Sequence, residues 1–396
     1  MRILLLAKKN PYPVKDGEAI AIMHMAEGLH TCGAEVHILY MNTPKHHCAV
    51  EDIPAEYTDR IHFHSVWVDA ALHAGGALKN LFSKKPWHIT RFQSKTFAMR
   101  LEKLLHTHAF DIVQSEGLMC TQYFPISREH SDAICVYRSH NIEGAIWHHV
   151  AAHTKNILRK WYIGIQSAKL FSYESDILSA VDAIVPISRT DAAYYANTFP
   201  REKICYIPTG LDTKQNFPEP VAQTSDLYFI GGLDWIPNRE GLHWFLEKVF
   251  PKVRIAFPEI QFHIAGRNAP AYMETLRDPG VIFHGEVSDA QTYASNKAIC
   301  VVPLLSGSGM KIKIMEAMAA GKFVITTAVG AEGLPEGMSA CMDVQTDPDS
   351  FAQALMARLS DMTQTLQKAQ AGKEFVRTHL DNTALAQKLI QFYQTL

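Results

Sequence analysis

The chain has 396 residues, 47% of them hydrophobic and 20% charged, and its formal net charge is −2. That length exceeds what one hydrophobic core usually serves, so two domains are expected, and the apolar content excludes a disordered chain. With no basic excess, nothing points to nucleic acid as a partner.

Short apolar runs alternate with longer amphipathic ones, the pattern of an α/β fold with parallel sheets. In the first half the predicted strands are Ile3 to Ala7, Glu35 to Tyr40, Ile61 to Val68, Asp111 to Gln114, Ile134 to Arg138, Ala183 to Ile187 and Ile204 to Ile207. Predicted helices include Ala19 to His30, Phe97 to His108 and Ile142 to Ser167. Pro208 to Gln223 lacks apolar periodicity, carries Pro208, Gly210, Pro218 and Pro220, and reads as a linker. A second α/β series follows, with strands at Leu227 to Ile230, Gln261 to Ala265, Val281 to His284, Ala298 to Leu304 and Phe323 to Thr326. Its helices are expected at Arg239 to Ala256 and Met310 to Ala320, with more after Ser350. The expected organisation is an acceptor-binding domain over residues 1–215 and a donor-binding domain over 216–396, both Rossmann-like, with the last helices able to pack back on the first. Two such domains facing each other would hold a ligand in the cleft between them.

The most informative segment runs from Val301 to Gly321, where an apolar strand enters the turn Ser306-Gly307-Ser308-Gly309-Met310 and then a helix. Unsatisfied N–H groups at a helix N-terminus suit a diphosphate. Lys311 and Lys313 place cations where the helix dipole prefers acids, which suggests a bound anion, although solvated lysines would cost little. Glu316 falls in the otherwise apolar run Ile314 to Ala319, so a buried carboxylate there needs partners. A ribose diol would supply them, as would an i, i+3 ion pair with Lys313.

At these residues the chain resembles the GT-B glycosyltransferases of family 4, whose signature ends in Glu-Ala-Met-Ala-x-Gly. Glu316 stands at the second glutamate of that signature, and Ser308 replaces the first, which contacts the donor sugar in the family. Further similar segments occur in family order: Gly231 to Asn238, Ile264 to Arg267, Phe283 to Val287 beside the nucleobase, and Pro208 to Asp212. The loop Pro11 to Gly17 resembles the one that approaches the donor phosphate through a Gly-Gly pair, here reduced to Gly17-Glu18. Arg138 to Glu143 resembles the segment whose histidine lies under the donor sugar, which makes His140 the catalytic candidate with Lys311 and Glu316. The family's Arg and Lys after the first donor-domain strand are replaced by Asp234, Asn238 and Arg239, so Lys311 with Lys313 and Arg267 is expected to neutralise the diphosphate. The resemblance thus implies a retaining transferase that uses a nucleotide-diphosphate sugar and no metal or cofactor. Its donor site would draw on Gly17, Asn238, Arg267, Val287, Ser308, Gly309, Met310 and Lys313. A glycan or lipid-linked acceptor and a role in polysaccharide or glycoconjugate biosynthesis go with it. A nucleotide-sugar epimerase or hydrolase, and a non-catalytic sugar-binding subunit, remain the alternatives.

Other signals are weaker. Asp347-Pro348-Asp349 spells a metal-binding Asp-x-Asp but reads as a helix start. The pairs His46-His47, His62-x-His64, His106-x-His108 and His148-His149 lack a cysteine or carboxylate at ligand spacing and are taken as ordinary histidines. The seven cysteines contain no Cys-x-x-Cys, and the N-terminal apolar run is too short for a signal peptide, so a reduced cytoplasmic protein is expected. Residues 79–103 carry Lys79, Lys84, Lys85, Arg91, Lys95, Arg100 and Lys103 against Glu102, with Phe82, Trp87, Phe92 and Phe97 between them. That stretch is either a solvated face with its aromatics in the core or a contact for an anionic membrane.

Overall fold

The computed structural model describes residues 1–14, 16–70, 75–76, 80–213, 224–274, 280–307 and 309–396. The chain divides into two compact units, Met1–Gly210 with Asn382–Leu396, and Leu211–Asp381.

The first unit is built on a six-stranded parallel sheet in the order β3-β2-β1-β4-β5-β6. Its strands are β1 (Arg2–Ala7), β2 (Glu35–Asn42), β3 (Ile61–Trp67), β4 (Ile112–Glu116), β5 (Ile134–Ser139) and β6 (Ala183–Pro186). Ile3 to Ala7 are fully buried, as a strand covered by helices on both faces must be. Strand order reverses between β1 and β4, so the carboxyl ends of β1, β4 and β5 border the crevice where such sheets hold ligands. The last helix, Asn382–Tyr393, belongs to this unit and lies on the helix Gly17–Thr31. Leu385, Ala386, Leu389 and Tyr393 share a core there with Ile22, Met25 and Ala26. A Cβ on Gly28 would come within 2.8 Å of the Asn382 carbonyl oxygen, so glycine permits the close approach. The Tyr393 hydroxyl donates to Gln114 Oε1 on β4.

The second unit repeats the arrangement with the order β12-β11-β10-β7-β8-β9. Its strands are β7 (Thr224–Ile230), β8 (Phe262–Ala265), β9 (Val281–Gly285), β10 (Lys297–Val302), β11 (Phe323–Thr326) and β12 (Asp343–Val344). Here the reversal falls between β7 and β10.

Several boundaries differ from the sequence expectation. The single helix expected over Ile142 to Ser167 is two, Glu143–His153 and Ile157–Leu178. The Asn156 side chain caps the second by accepting from Arg159 N at 3.0 Å, and such a cap starts a helix. Ile204 to Ile207 is no strand and forms only an isolated bridge, Ile184 to Ile204. The helix expected from Arg239 begins earlier, at Ile236, with Pro237 in its first turn, and a wider turn at Phe245–Val249 separates it from Phe250–Ala256. Asp347 caps the helix Pro348–Ser360 by accepting from Asp349 N at 3.1 Å and Ser350 N at 2.9 Å, as a helix start requires. The seven cysteines form no disulfide.

Candidate functional site

In the second unit, β10 leads into a turn whose Gly307 and Gly309 have φ of +112° and +79°. Side-chain-bearing residues resist that region, and a Cβ on Gly307 would also sit 3.1 Å from the Trp235 ring. Ser308 lies outside the described residues. The helix begins at Ile312, two residues later than expected, because Lys311 is its N-cap; among the described residues no side chain caps it. Ile314 N donates to the Lys311 carbonyl at 2.9 Å, and the first N–H groups of the helix, which follows β10 at the strand-order reversal, have no partner within the helix.

Two lysines stand at this turn without a carboxylate at ion-pairing distance among the described residues. Lys311 is buried and its Nζ donates to the Gly309 carbonyl at 2.6 Å. Burial lowers its pKa, against the pull of Glu332. Lys313 Nζ donates to Asn238 Oδ1 at 2.9 Å and lies 4.4 Å from the Phe229 ring centre. Burial pulls its pKa down to about 8, opposed by Cys300 and Glu316. Cations withdrawn from water whose hydrogen-bond partners among the described residues are neutral lack a close counter-charge, and an anion would supply it.

Asn238 is buried and bridges this lysine to the end of β7, its Nδ2 donating to the Gly232 carbonyl at 2.7 Å. It therefore positions Lys313. A Cβ on Gly231 would lie 2.5 Å from Lys313 Nζ, so the first glycine of Gly231-Gly232 makes room for the ammonium. The i, i+3 ion pair considered for Glu316 is not formed, because Lys313 turns to Asn238. Glu316 is exposed, while crowding around it raises its pKa and Lys313 counteracts. Arg267 follows β8, and Leu233 N donates to its carbonyl at 2.9 Å. Val287 lies past the end of β9 and lines an open depression of about 910 Å³ with His284, Tyr293 and Lys297. Met310 is partly buried in the turn.

In the first unit, His140 directly follows β5 and its Nε2 lies 2.7 Å from Glu116 Oε2. Glu116 ends β4, is fully buried, and is also bonded by Arg138 Nη1 at 3.1 Å and Gln114 Nε2 at 2.7 Å. Burial raises its pKa, but Arg138 and His140 outweigh burial and leave it below the ordinary value. The imidazole is thus oriented by an ionised carboxylate that is itself held by a buried guanidinium. Gly17 opens its helix next to the cap Asp16, which accepts from Ala19 N at 3.1 Å and from Lys9 Nζ at 2.6 Å. Glu18, standing where the family has its second glycine, lies 3.3 Å from Lys8 Nζ and 3.4 Å from Lys9 Nζ. His88 lies 3.8 Å from Glu143, and burial aided by Arg91 and Lys8 pushes its pKa down to about 3.

Glu116, Arg138, Lys8, Lys9 and Glu18 were not singled out in the sequence. The available signal was charge inside apolar strands: Arg138 in Ile134–Ser139 and Glu116 at the end of Ile112–Glu116.

Comparison with known proteins meets both units. Residues 16–215 match the model for Glycosyltransferase Family 4 and residues 224–361 that for Glycosyl transferases group 1. An uncharacterised 44.6 kDa protein in the cps region of Klebsiella pneumoniae is 22% identical over 90% of each chain. Among solved structures, HepE from Anabaena in complex with UDP superposes with a TM-score of 0.71 at 13% identity over the full length of both chains. Sucrose-phosphate synthase from Thermosynechococcus elongatus gives 0.69 at 16% identity, covering 100% of this chain and 99% of that one. These likenesses show the GT-B fold of two Rossmann-like domains. With a family model matched over more than half its length, the chain is a glycosyltransferase and belongs to glycosyltransferase family 4.

Proposed function

We propose that the protein moves a sugar from a nucleoside-diphosphate sugar to a glycan or lipid-linked acceptor, with retention at the anomeric carbon and without a divalent ion. The observation that carries this reading is the pair of lysines, Lys311 buried and Lys313 half-buried, that lack carboxylate partners at ion-pairing distance among the described residues, at a helix N-terminus that no described side chain caps. Such a constellation is what a leaving diphosphate requires. In the step proposed, the bond from the anomeric carbon to the phosphate oxygen breaks and the acceptor oxygen bonds the same face. The acceptor proton passes to the departing phosphate. Glu316 would accept from the ribose hydroxyls, and His140, oriented by Glu116, would contact the donor sugar. Arg267 would add charge at the diphosphate, Val287 would meet the base, and Gly17, Gly309 and Met310 would offer backbone to the donor. Ser308 keeps its assignment from the family pattern alone.

The relative encoded in a cps region supports a place in polysaccharide biosynthesis, and a neighbour solved with UDP supports a nucleotide donor. Incubation with labelled UDP-, GDP- and ADP-sugars tests the reading. Transfer to a glycan with an α product from an α donor agrees with it. A β product overturns retention, and epimerised sugar or binding without turnover favours the alternatives.

We further propose that the enzyme works at the cytoplasmic face of an anionic membrane through residues 79–103. Lys79 lies outside the described residues; Phe82 is 95% exposed and near the exposed Lys84 and Lys85, whereas Phe92 and Phe97 are buried. Ile157, Leu158 and Trp161 are likewise exposed beside Arg159 and Lys160. Basic residues near an anionic leaflet contribute about 1 kcal/mol each. No described helix is long and apolar enough to cross a membrane. Co-sedimentation with anionic liposomes that fades as salt rises is expected; equal sedimentation of wild type and a Lys84/Lys85/Arg91 triple-alanine variant contradicts the contact.

A further inference from the structure

Two helices of the first unit end near the amino ends of β4 and β5, the opposite ends of those strands from Glu116 and His140. Lys95–Thr107 ends just before β4 begins, and Phe124–His130 ends just before β5 begins. Glu102 and His106 are one turn apart on the first, and His130 closes the second. His106 Nε2 and His130 Nε2 each lie 3.9 Å from Glu102 Oε1, and the three ligand atoms fall within 4.8 Å of one another. The two rings meet edge to face at 5.0 Å between centres.

At 3.9 Å neither imidazole is hydrogen-bonded to the carboxylate, yet both direct Nε2 at one oxygen. Ligands about 2.0–2.1 Å from a tetrahedral ion are roughly 3.4 Å apart, so small rotamer adjustments would close the three around one. A second group, Glu35, His37 and His62, is similarly compact, but its Glu35 and His37 are already engaged. Arg100 donates to His64 Nδ1 at 3.2 Å, His64 Nε2 meets His37 Nδ1 at 3.0 Å, and His37 Nε2 meets Glu35 Oε1 at 2.9 Å. Arg2 pairs with Glu35 at 2.8 Å, so two guanidinium cations flank that group and would repel an ion. Burial and the neighbouring cations push the His64 pKa down to about 4, consistent with a neutral relay.

We propose that Glu102, His106 and His130 form a surface site for a divalent transition ion of the zinc type. Two imidazoles and one carboxylate suit such an ion, with water completing the coordination. Bound there, it ties the end of one helix to the end of the next. The site lies by the amino ends of β4 and β5, whereas His140 follows the carboxyl end of β5, so it is structural and separate from sugar transfer. This reverses the sequence reading of His106 as an ordinary histidine, because the carboxylate ligand is an i, i−4 neighbour and the third ligand comes from another helix.

The test is titration of untagged protein with Zn²⁺ by calorimetry and with Co²⁺ by visible absorption, for wild type, Glu102→Gln, His106→Asn and His130→Ala. These side chains are at the surface, and unchanged circular dichroism will show that each variant folds. One ion per chain is expected in wild type, with affinity reduced tenfold or more in each variant and Zn²⁺ raising the melting temperature of wild type alone. Absence of binding to wild type, or equal binding by all four proteins, overturns the assignment.

Discussion

Lys311 is where a single side chain should decide the most. Its ammonium is buried and, among the described residues, bonds a backbone carbonyl, so truncation removes the charge a leaving diphosphate needs at the cost of one hydrogen bond within the turn. Lys311→Ala is expected to lose roughly 2–4 kcal/mol of transition-state stabilisation, a fall in kcat/KM of about thirtyfold or more with melting temperature little changed. Glu116 offers a different test, because it acts through His140. Glu116→Gln should lower kcat and shift its pH profile while leaving nucleotide affinity near normal, whereas a merely structural glutamate would affect only stability. Glu174 shows the reverse electrostatics. Its carboxylate accepts from Glu143 N and Gly144 N, each at 3.0 Å, yet burial pushes its pKa up to about 7. A raised carboxyl pKa means the folded state binds the proton more tightly than the unfolded one. Its contribution is therefore full below the ordinary value near 4.5 and is lost as pH rises through about 7. Glu174→Gln should flatten that decline in melting temperature between pH 5 and 7; an unchanged profile would show that the group does not titrate there.

Elements were legible where apolar runs were bounded by breakers. Phe323 to Thr326 matches β11 residue for residue, because a buried parallel strand is a short apolar run and Gly321 precedes it. The division of Ile142 to Ser167 was not, since helical periodicity continues across a break that Asn156 creates by capping. The two-residue β12 has no pattern of its own and exists because β11 pairs with it. Of the site, the lysine turn could be read from its glycines and charges, whereas of the Glu116–Arg138–His140 group only His140 was named, through the family resemblance. Its members come from neighbouring strands and meet only through sheet register, Glu116 opposite Arg138. The final helix is distant in sequence from the sheet it completes, and its weight can be measured. Leu389 is fully buried against the helix Gly17–Thr31, so Leu389→Ala should cost about 2–5 kcal/mol in denaturant unfolding. A loss under about 1 kcal/mol would mean that this helix is not part of the first unit's core.

For the whole molecule, two sheets of the same strand order divide the chemistry. One carries the carboxylate-held histidine and the other the two lysines that have no carboxylate at ion-pairing distance among the described residues. If protein cations and a helix N-terminus neutralise the leaving diphosphate, turnover should survive excess EDTA, even where the chelator strips a structural ion from Glu102, His106 and His130 and lowers the melting temperature. Loss of turnover restored only by a divalent ion would contradict metal-independent transfer. Binding of a nucleoside diphosphate at Lys311 and Lys313 is open to calorimetric titration with UDP, GDP and ADP in EDTA. One of the three is expected to bind wild type, and Lys311→Ala to weaken that binding tenfold or more. Failure of all three to bind, or binding indifferent to Lys311, would contradict it.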